Sequence, residues 1–249
     1  MSGAALIAVL LLAAVVIGAY LAAPQYLRLF RRELTRAQAM ERVTRDLGLD
    51  FAKTDPAFPG ATPARYPFEL FSRGVRQECE NLFSGTFAGV KVTGFDFGYV
   101  DPDPDRADGT ARPADADTVW QRLTCIVAVV GGSAPHVVIS GVGAVGAAVD
   151  GATWAAWGVQ NRAIQFESRD FDRIFEVRST DPRFAKALID AELMAWLLAT
   201  GPRWRWELQR EYALCTGGLV APEDLRRMIT TVAAFVRHVP RVAIALDSV

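Results

Sequence analysis

Residues 2–27 read SGAALIAVLLLAAVVIGAYLAAPQYL, an uncharged and mostly apolar run, and the rest of the chain is arranged around it. About 20 apolar residues in a helix, at roughly 1.5 Å each, span the hydrocarbon layer of a bilayer. The run is longer than the apolar core of a signal peptide, and no basic residue precedes it. We therefore predict an uncleaved transmembrane anchor at residues 1–27; a cleaved signal peptide and a buried core helix are the alternatives.

Charged residues flank this run on its carboxyl side only. Arg28, Arg31 and Arg32 follow it, and Tyr20 and Tyr26 lie near the same boundary, where amphipathic rings suit the membrane interface. Because Lys and Arg beside a span stay on the cytoplasmic side, the amino terminus is expected outside and the later residues in the cytoplasm. These five residues are the predicted membrane-interface residues. The arginines set topology in this interpretation, and attraction to anionic lipid is the alternative.

The composition indicates a folded domain behind the anchor. The chain has 249 residues, 51% hydrophobic and 10% aromatic, which is enough to form a real core. A net charge of −1 gives no basic field to attract nucleic acid, so a nucleic-acid partner is not expected. Cys79, Cys125 and Cys215 are odd in number and widely spaced, so they predict reduced buried thiols rather than disulfides or a zinc site. We expect neither a metal nor a cofactor.

Four segments follow from hydrophobic periodicity and from Pro and Gly content. After the anchor, residues 28–50 form a basic juxtamembrane segment with a helix over 31–48, and a Pro- and Gly-rich linker is expected at 51–67. The fourth segment, residues 68–249, is the predicted cytoplasmic domain. Its fold class is α+β, a mostly antiparallel or mixed sheet with two helices of the C-terminal half packed on it.

The individual elements of that domain are read from alternation and capping signals. Trp204, Trp206 and Leu208 alternate with charged residues, which predicts a half-exposed strand whose aromatic face is core. Helices are expected over 181–200 and from Pro222, each with favourable residues at its start. A turn is expected at 131–135. The other predicted strands are 66–72, 81–83, 87–92, 95–100, 119–130, 136–140, 164–168 and 173–179.

One motif suggests a cofactor. Gly141, Gly143 and Gly146 form a GxGxxG sequence after a predicted strand, and Glu167 lies about 21 positions later, where a ribose-binding acid is found in dinucleotide sites. This makes an NAD- or FAD-binding enzyme the alternative function. Gly151 and other glycines weaken the helix that should follow, and no repeating strand–helix–strand pattern is visible. Close packing, a surface loop and a membrane-embedded stretch over 125–149 are the other interpretations.

Other catalytic patterns are weaker. The sequence has no GxSxG, HExxH or Walker A pattern. His136 and His238 lack ligand spacing and are expected to be structural. Acidic and basic residues alternate over 162–173, which is typical of a salt-bridged surface. The acidic loop from 101 to 112 has the 1, 3, 5 spacing of a calcium loop but lacks its glycine and its final glutamate, so it indicates a charged turn.

Several motifs resemble those of a group of actinobacterial single-pass membrane proteins of unknown function. The resemblance covers about residues 45–240 and implies an anchored protein without implying an activity. We therefore expect a membrane-anchored accessory or scaffold module that meets the lipid bilayer and another membrane protein. The motifs are FELFSRG (68–74), Asn81-Leu82 with Gly85 and Gly89, FDFGY (95–99), FESRDFD (166–172), Phe175, Val177 and Phe184-Ala185.

Overall fold

A computed structural model describes residues 35–55, 62–74, 76–100, 120–142 and 163–239. Within these ranges, six strands form one sheet in which every pair of neighbours is antiparallel. This confirms the α+β class and resolves the predicted choice between an antiparallel and a mixed sheet. The strands are β1 (Asp50–Thr54), β2 (Gln77–Phe87), β3 (Val90–Val100), β4 (Trp120–Gly141), β5 (Phe175–Ser179) and β6 (Arg205–Gly218).

Strand β4 is the longest strand and joins the two parts of the sheet. Its first half pairs with β3, its last five residues pair with β5 on the same edge, and β6 runs along its other edge. The predicted turn at 131–135 is wrong, because the strand continues through it with an irregular register between Val129 and Val137. The backbone bends at Gly131, whose φ of 81° is a conformation that residues other than glycine rarely adopt.

Strands β2 and β3 form a hairpin where three short strands were predicted. A register shift between Glu80 and Phe83 accommodates Asn81 in the left-handed region, with a φ of 51°. Beyond this bulge, Phe83 lies opposite Gly94 and its ring covers the glycine, so that a Cβ at Gly94 would overlap the ring. The glycine is therefore required by close packing rather than by a turn.

The described helices are α1 (35–46), α2 (Arg169–Ile174), α3 (Pro182–Leu188), α4 (Ala191–Thr200) and α5 (Pro222–His238), with 3₁₀ turns at Pro63–Arg65 and Glu69–Ser72. The helix predicted over 181–200 is two helices, because Asp190 leaves the helical conformation and caps α4 through the Leu193 amide. Residues 164–168 are not a strand, and residues 66–72 contain a 3₁₀ turn. The α5 prediction is confirmed.

The two faces of the sheet are covered differently. All five helices contribute to the larger core, which contains Met40, Phe171 and Phe235 among its buried residues. The 3₁₀ segment covers the other face, where Phe71 packs against Phe95 and Phe97 in a smaller core. The sheet is thus a middle layer, with helices on one face and an aromatic cap on the other.

The domain begins earlier in the chain than predicted. Helix α1 buries Met40 completely in the larger core, and β1 pairs with β2. Residues 35–54 are therefore part of the domain, whereas the prediction divided them between the basic segment and the linker. The predicted anchor lies outside the described residues. No helix within the described ranges has the length and hydrophobicity needed to cross a membrane.

Candidate functional site

A largely buried salt bridge joins α1 to the sheet. Arg36 approaches Asp96 side-on, with Nε donating to Oδ2 and Nη2 donating to Oδ1, each over 2.9 Å. Its Nη1 donates to the Val220 carbonyl over 2.6 Å, in the connection between β6 and α5. The guanidinium thus binds the centre of the sheet and the connection before α5 at the same time, and a bidentate pair of this kind fixes orientation as well as distance.

Neighbouring strands supply the rest of the network around Asp96. Thr124 lies directly opposite Asp96 in the register of β3 and β4, and its hydroxyl donates to Oδ1 over 2.8 Å. The same hydroxyl accepts from the Val220 amide over 2.9 Å. Asn81, at the bulge in β2, donates to Oδ2 over 2.8 Å. The carboxylate therefore accepts four hydrogen bonds, which compensates the desolvation of a side chain that is only 8% exposed.

A cleft of about 190 Å³ opens beside this salt bridge. Three basic and three acidic side chains line it, so its charges balance, and Leu219 at its edge is 43% exposed. Arg122 on β4 and Glu78 on β2, the two strands that flank β3, form a longer ion pair of 3.7 Å across part of it. The charged lining residues are Arg36, Lys53, Glu78, Glu80, Asp96 and Arg122. Exposed apolar area combined with charged side chains is found at protein contact surfaces.

A second charged cluster lies on β6. His136 Nε2 is 2.8 Å from Glu207 Oε1, and Arg205 Nη2 is 3.5 Å from Glu207 Oε2. Glu207 is only 1% exposed, and its Oε2 has no hydrogen-bond partner among the described residues. The prediction of an exposed charged face is therefore wrong for Arg205 and Glu207, which are buried, whereas Arg203 is exposed and Gln209 is half-buried. The prediction for its aromatic face is confirmed, since Trp206 stacks on Phe235 at 4.3 Å.

A shallow cleft of about 330 Å³ adjoins His136 on the aromatic-cap face of the sheet. Glu69, at the start of a 3₁₀ turn, lines it together with Tyr66 and Ser72. Burial raises the pKa of Glu69; the nearby Arg73 lowers this pKa, and the charge of Glu207 raises it further. The described side chains do not include a group of His, Cys, Asp and Glu arranged to bind a metal ion.

The predicted glycine site is only partly within the described structure. Gly141 ends β4, and a Cβ there would lie 2.7 Å from Pro202 Cβ, so packing explains this glycine. Gly143 and Gly146 lie outside the described residues. Glu167 is exposed and does not lie on a strand. The strands that precede and follow Glu167 in the sequence, β4 and β5, pair antiparallel. The dinucleotide motif requires a parallel strand–helix–strand unit.

The other predicted site residues, Tyr20, Tyr26, Arg28, Arg31 and Arg32, lie outside the described residues, as does the acidic loop over 101–112. The cysteines are free and buried as predicted. Burial raises the pKa of Cys79 to about 12 and raises the pKa values of Cys125 and Cys215 as well, so their thiols remain protonated and unreactive.

Sequence reasoning assigned Arg36 no contact and did not single out Asp96. The available signal was the single acid inside the apolar strand FDFGYV, because a carboxylate between buried residues requires a partner. That partner lies 60 positions earlier in the chain and belongs to another element. The sequence therefore indicates that Asp96 needs a partner without identifying it.

No protein-family model matches this sequence, and no curated protein matches it. Among solved structures, the fold is similar to the crystal structure of the mycobacterial trehalose monomycolate transport factor A, TtfA. The similarity covers 82% of this chain and 96% of that chain, with 12% sequence identity and a TM-score of 0.47. At this level of identity and TM-score, the similarity assigns no function to the chain.

Proposed function

We propose that this chain is a membrane-anchored accessory module whose cytoplasmic domain binds another membrane protein. The apolar run is its anchor, and the cleft beside Arg36 and Asp96 is its contact surface. The observation that carries the proposal is the salt bridge of Arg36, because it ties this cleft to a residue that follows closely in sequence on the apolar run. The resemblance to single-pass membrane proteins also implies an anchored protein.

Chain length limits the distance between cleft and anchor. Arg36 follows Leu27, the last residue of the run, by nine positions (36 − 27). A fully extended chain covers at most about 3.6 Å per residue, so the cleft lies within about 32 Å of the end of the run. The domain is therefore held next to the membrane whatever conformation these nine residues adopt, and the cleft is within reach of the cytoplasmic part of a neighbouring membrane protein.

The chemistry of the cleft favours a protein partner. Its basic and acidic side chains are equal in number, and Leu219 adds exposed apolar surface at the edge. Mixed charge confers specificity on a protein contact, while a partly exposed leucine provides apolar area to bury. A surface selective for nucleic acid would instead carry an excess of positive charge.

The test is gentle detergent extraction of the tagged full-length protein from its own host, followed by size-exclusion chromatography and mass spectrometry. We expect a stable complex with a second membrane protein. Leu219→Glu should reduce the recovery of that protein several-fold, because it introduces a charge at the contact surface. Ile174→Glu is the matched control, since Ile174 is also a partly exposed apolar residue but does not line the cleft.

A monomer with no second polypeptide would contradict the proposal. Equal losses for the two variants would also contradict the assignment of the contact to this cleft. Far-UV circular dichroism and thermal melting of both variants distinguish loss of binding from loss of folding.

A further inference from the structure

A third cleft, of about 270 Å³, lies on the aromatic-cap face of the sheet, the opposite face from Asp96. Its wall combines two cations, two tyrosines, a threonine and two valines. The cations are Arg65, at the end of the first 3₁₀ turn, and Lys91, near the start of β3. Two basic groups and no carboxylate line this cleft, in contrast to the balanced charges beside Arg36.

The two cations are available to a ligand. Both residues are exposed, and neither forms an ion pair within the described ranges. Several other surface arginines do have acidic partners, as Arg173 has Asp170 and Arg203 has Asp224. An arginine and a lysine that share a cleft without a carboxylate provide several N–H donors and two positive charges for an anion.

The tyrosines form a rigid wall next to these cations. The rings of Tyr66 and Tyr212 meet edge to face at 5.1 Å. Burial raises the pKa of Tyr66, although a hydrogen bond from Thr93 and the nearby charge of Arg65 lower it. The phenol is therefore protonated at neutral pH and can donate a hydrogen bond, and Arg65 is close enough to affect it electrostatically.

One acidic residue stands near the cleft. Burial raises the pKa of Tyr212, and the charge of the adjacent Glu211 and a hydrogen bond with it raise this pKa further. Glu211 is exposed and does not line the cleft. Its neighbour Arg210 is also exposed, so the two charges at this point balance and the positive charge inside the cleft is retained.

We propose that this cleft binds the phosphate group of a small phosphate ester. Arg65 and Lys91 would hold the phosphate oxygens, and the Tyr66 hydroxyl would donate to one of them. The ring of Tyr212 and the partly exposed Val129 offer apolar surface to the group esterified to the phosphate. The volume lies just below the roughly 300–1,000 Å³ of common ligand sites, so the ligand is of headgroup or sugar-phosphate size.

The experiment is isothermal titration calorimetry on the full-length protein in a non-ionic detergent. One probe is glycerol 3-phosphate, a soluble phosphate ester, and the other is dihexanoyl-phosphatidylglycerol, which presents the same chemistry in a lipid. We expect saturable binding of at least one probe. Arg65→Gln and Lys91→Gln should each raise Kd about tenfold or more, because each removes charge-assisted hydrogen bonds. Arg65→Lys should raise Kd less than Arg65→Gln.

The matched control is Arg226→Gln, which removes an exposed arginine of α5 that forms no ion pair within the described residues and does not line the cleft. Its Kd should equal that of the unaltered protein. Binding of both probes identifies the phosphate ester itself as the ligand, whereas binding of the lipid alone identifies a phospholipid headgroup.

No saturable binding of either probe at millimolar concentration would overturn the proposal. An equal loss in Arg226→Gln and Arg65→Gln would also overturn it, since that result indicates attraction to general positive charge. Thermal melting of each variant verifies folding. Leu219→Glu should leave this binding unchanged, so the outcome is independent of the proposed accessory function.

Discussion

The two buried carboxylates, Asp96 and Glu207, are found in opposite situations on the same sheet. Asp96 accepts four hydrogen bonds from three side chains, and its arginine also binds the Val220 carbonyl. Glu207 is more deeply buried, but one of its oxygens has no hydrogen-bond partner within the described part of the chain. Burial alone therefore does not show how well a charge is compensated.

The difference follows from where each carboxylate lies. Asp96 is in the middle of the sheet, where β2, β4 and α1 each supply a donor side chain to it, and the connection before α5 contacts two of those donors. Glu207 is near the start of β6, and the partners identified for it, His136 and Arg205, lie on the adjacent strand and on its own strand. A carboxylate at a junction of elements holds those elements together, whereas one along a strand affects mainly its own surroundings. The following predictions test this distinction.

The largest effect is expected for Asp96→Ala. It leaves the guanidinium of Arg36, whose side chain is only 16% exposed, without a counter-charge and removes the acceptor of Asn81 and Thr124. Breaking a buried ion pair from one side costs about 3–5 kcal/mol of unfolding free energy. Urea unfolding of the full-length protein in detergent measures this loss. Asp170→Ala is the control, because its exposed 3.5 Å pair with Arg173 should contribute less than about 1 kcal/mol. Equal losses would contradict the comparison.

Thr124→Val should have the next largest effect. The substitution preserves the shape of the buried side chain but removes its hydroxyl, which donates to Asp96 and accepts from the Val220 amide. A buried amide left without an acceptor costs about 1–3 kcal/mol. The same urea titration measures the change, and Thr230→Val is the control, since that hydroxyl lies on the exposed face of α5. An unchanged free energy of unfolding in Thr124→Val would mean that the connection before α5 does not depend on the hydrogen bonds around Asp96.

Glu207→Gln should cost less than Asp96→Ala, about 1–2 kcal/mol. The amide keeps one oxygen for His136, and the carboxylate oxygen that it replaces has no hydrogen bond to lose among the described residues. The cost comes from removing the negative charge 3.5 Å from Arg205. A loss as large as that of Asp96→Ala would show that the two clusters hold the fold equally.

The smallest effect is expected for Glu69→Gln, and it depends on pH. Because burial and Glu207 raise the pKa of Glu69 above its ordinary value of 4.5, the folded state holds this proton more tightly than the unfolded state. Stability therefore falls as pH rises from 4.5 through the folded pKa, and the penalty persists at neutral pH. The variant should be slightly more stable than the unaltered protein at neutral pH and equal to it well below pH 4.5. Urea midpoints at the two pH values measure the difference. A variant less stable at neutral pH would contradict this sign.

Local signals predicted much of the fold. Pro222 with its acidic first turn marks α5, and the alternation of Trp206 and Leu208 marks the core face of β6, because both signals lie within a few residues. The predicted turn at 131–135 is wrong for the opposite reason. Its Gly-Gly-Ser sequence suits a turn, but pairing with the distant strand β6 before and after this sequence keeps β4 one continuous strand.

The candidate site was less accessible to sequence reasoning. The opposition of Asp96 and Thr124 depends on strand register, and the contact with Arg36 depends on how α1 packs on the sheet. Neither follows from spacing along the chain. The glycine motif shows that a sequence pattern can also be present for another reason. Gly141 matches the dinucleotide pattern, but close packing against Pro202 explains why a glycine is found there.

The contact between Arg36 and Val220 also sets an order of events during synthesis. The two residues are 184 positions apart, so at about 5–20 residues per second, roughly 10 to 40 s separate their appearance from the ribosome. Asp96 appears earlier, but the carbonyl that completes the guanidinium's contacts appears only just before α5. Helix α1 is thus translated long before its contacts are complete, and its docking is a long-range closure.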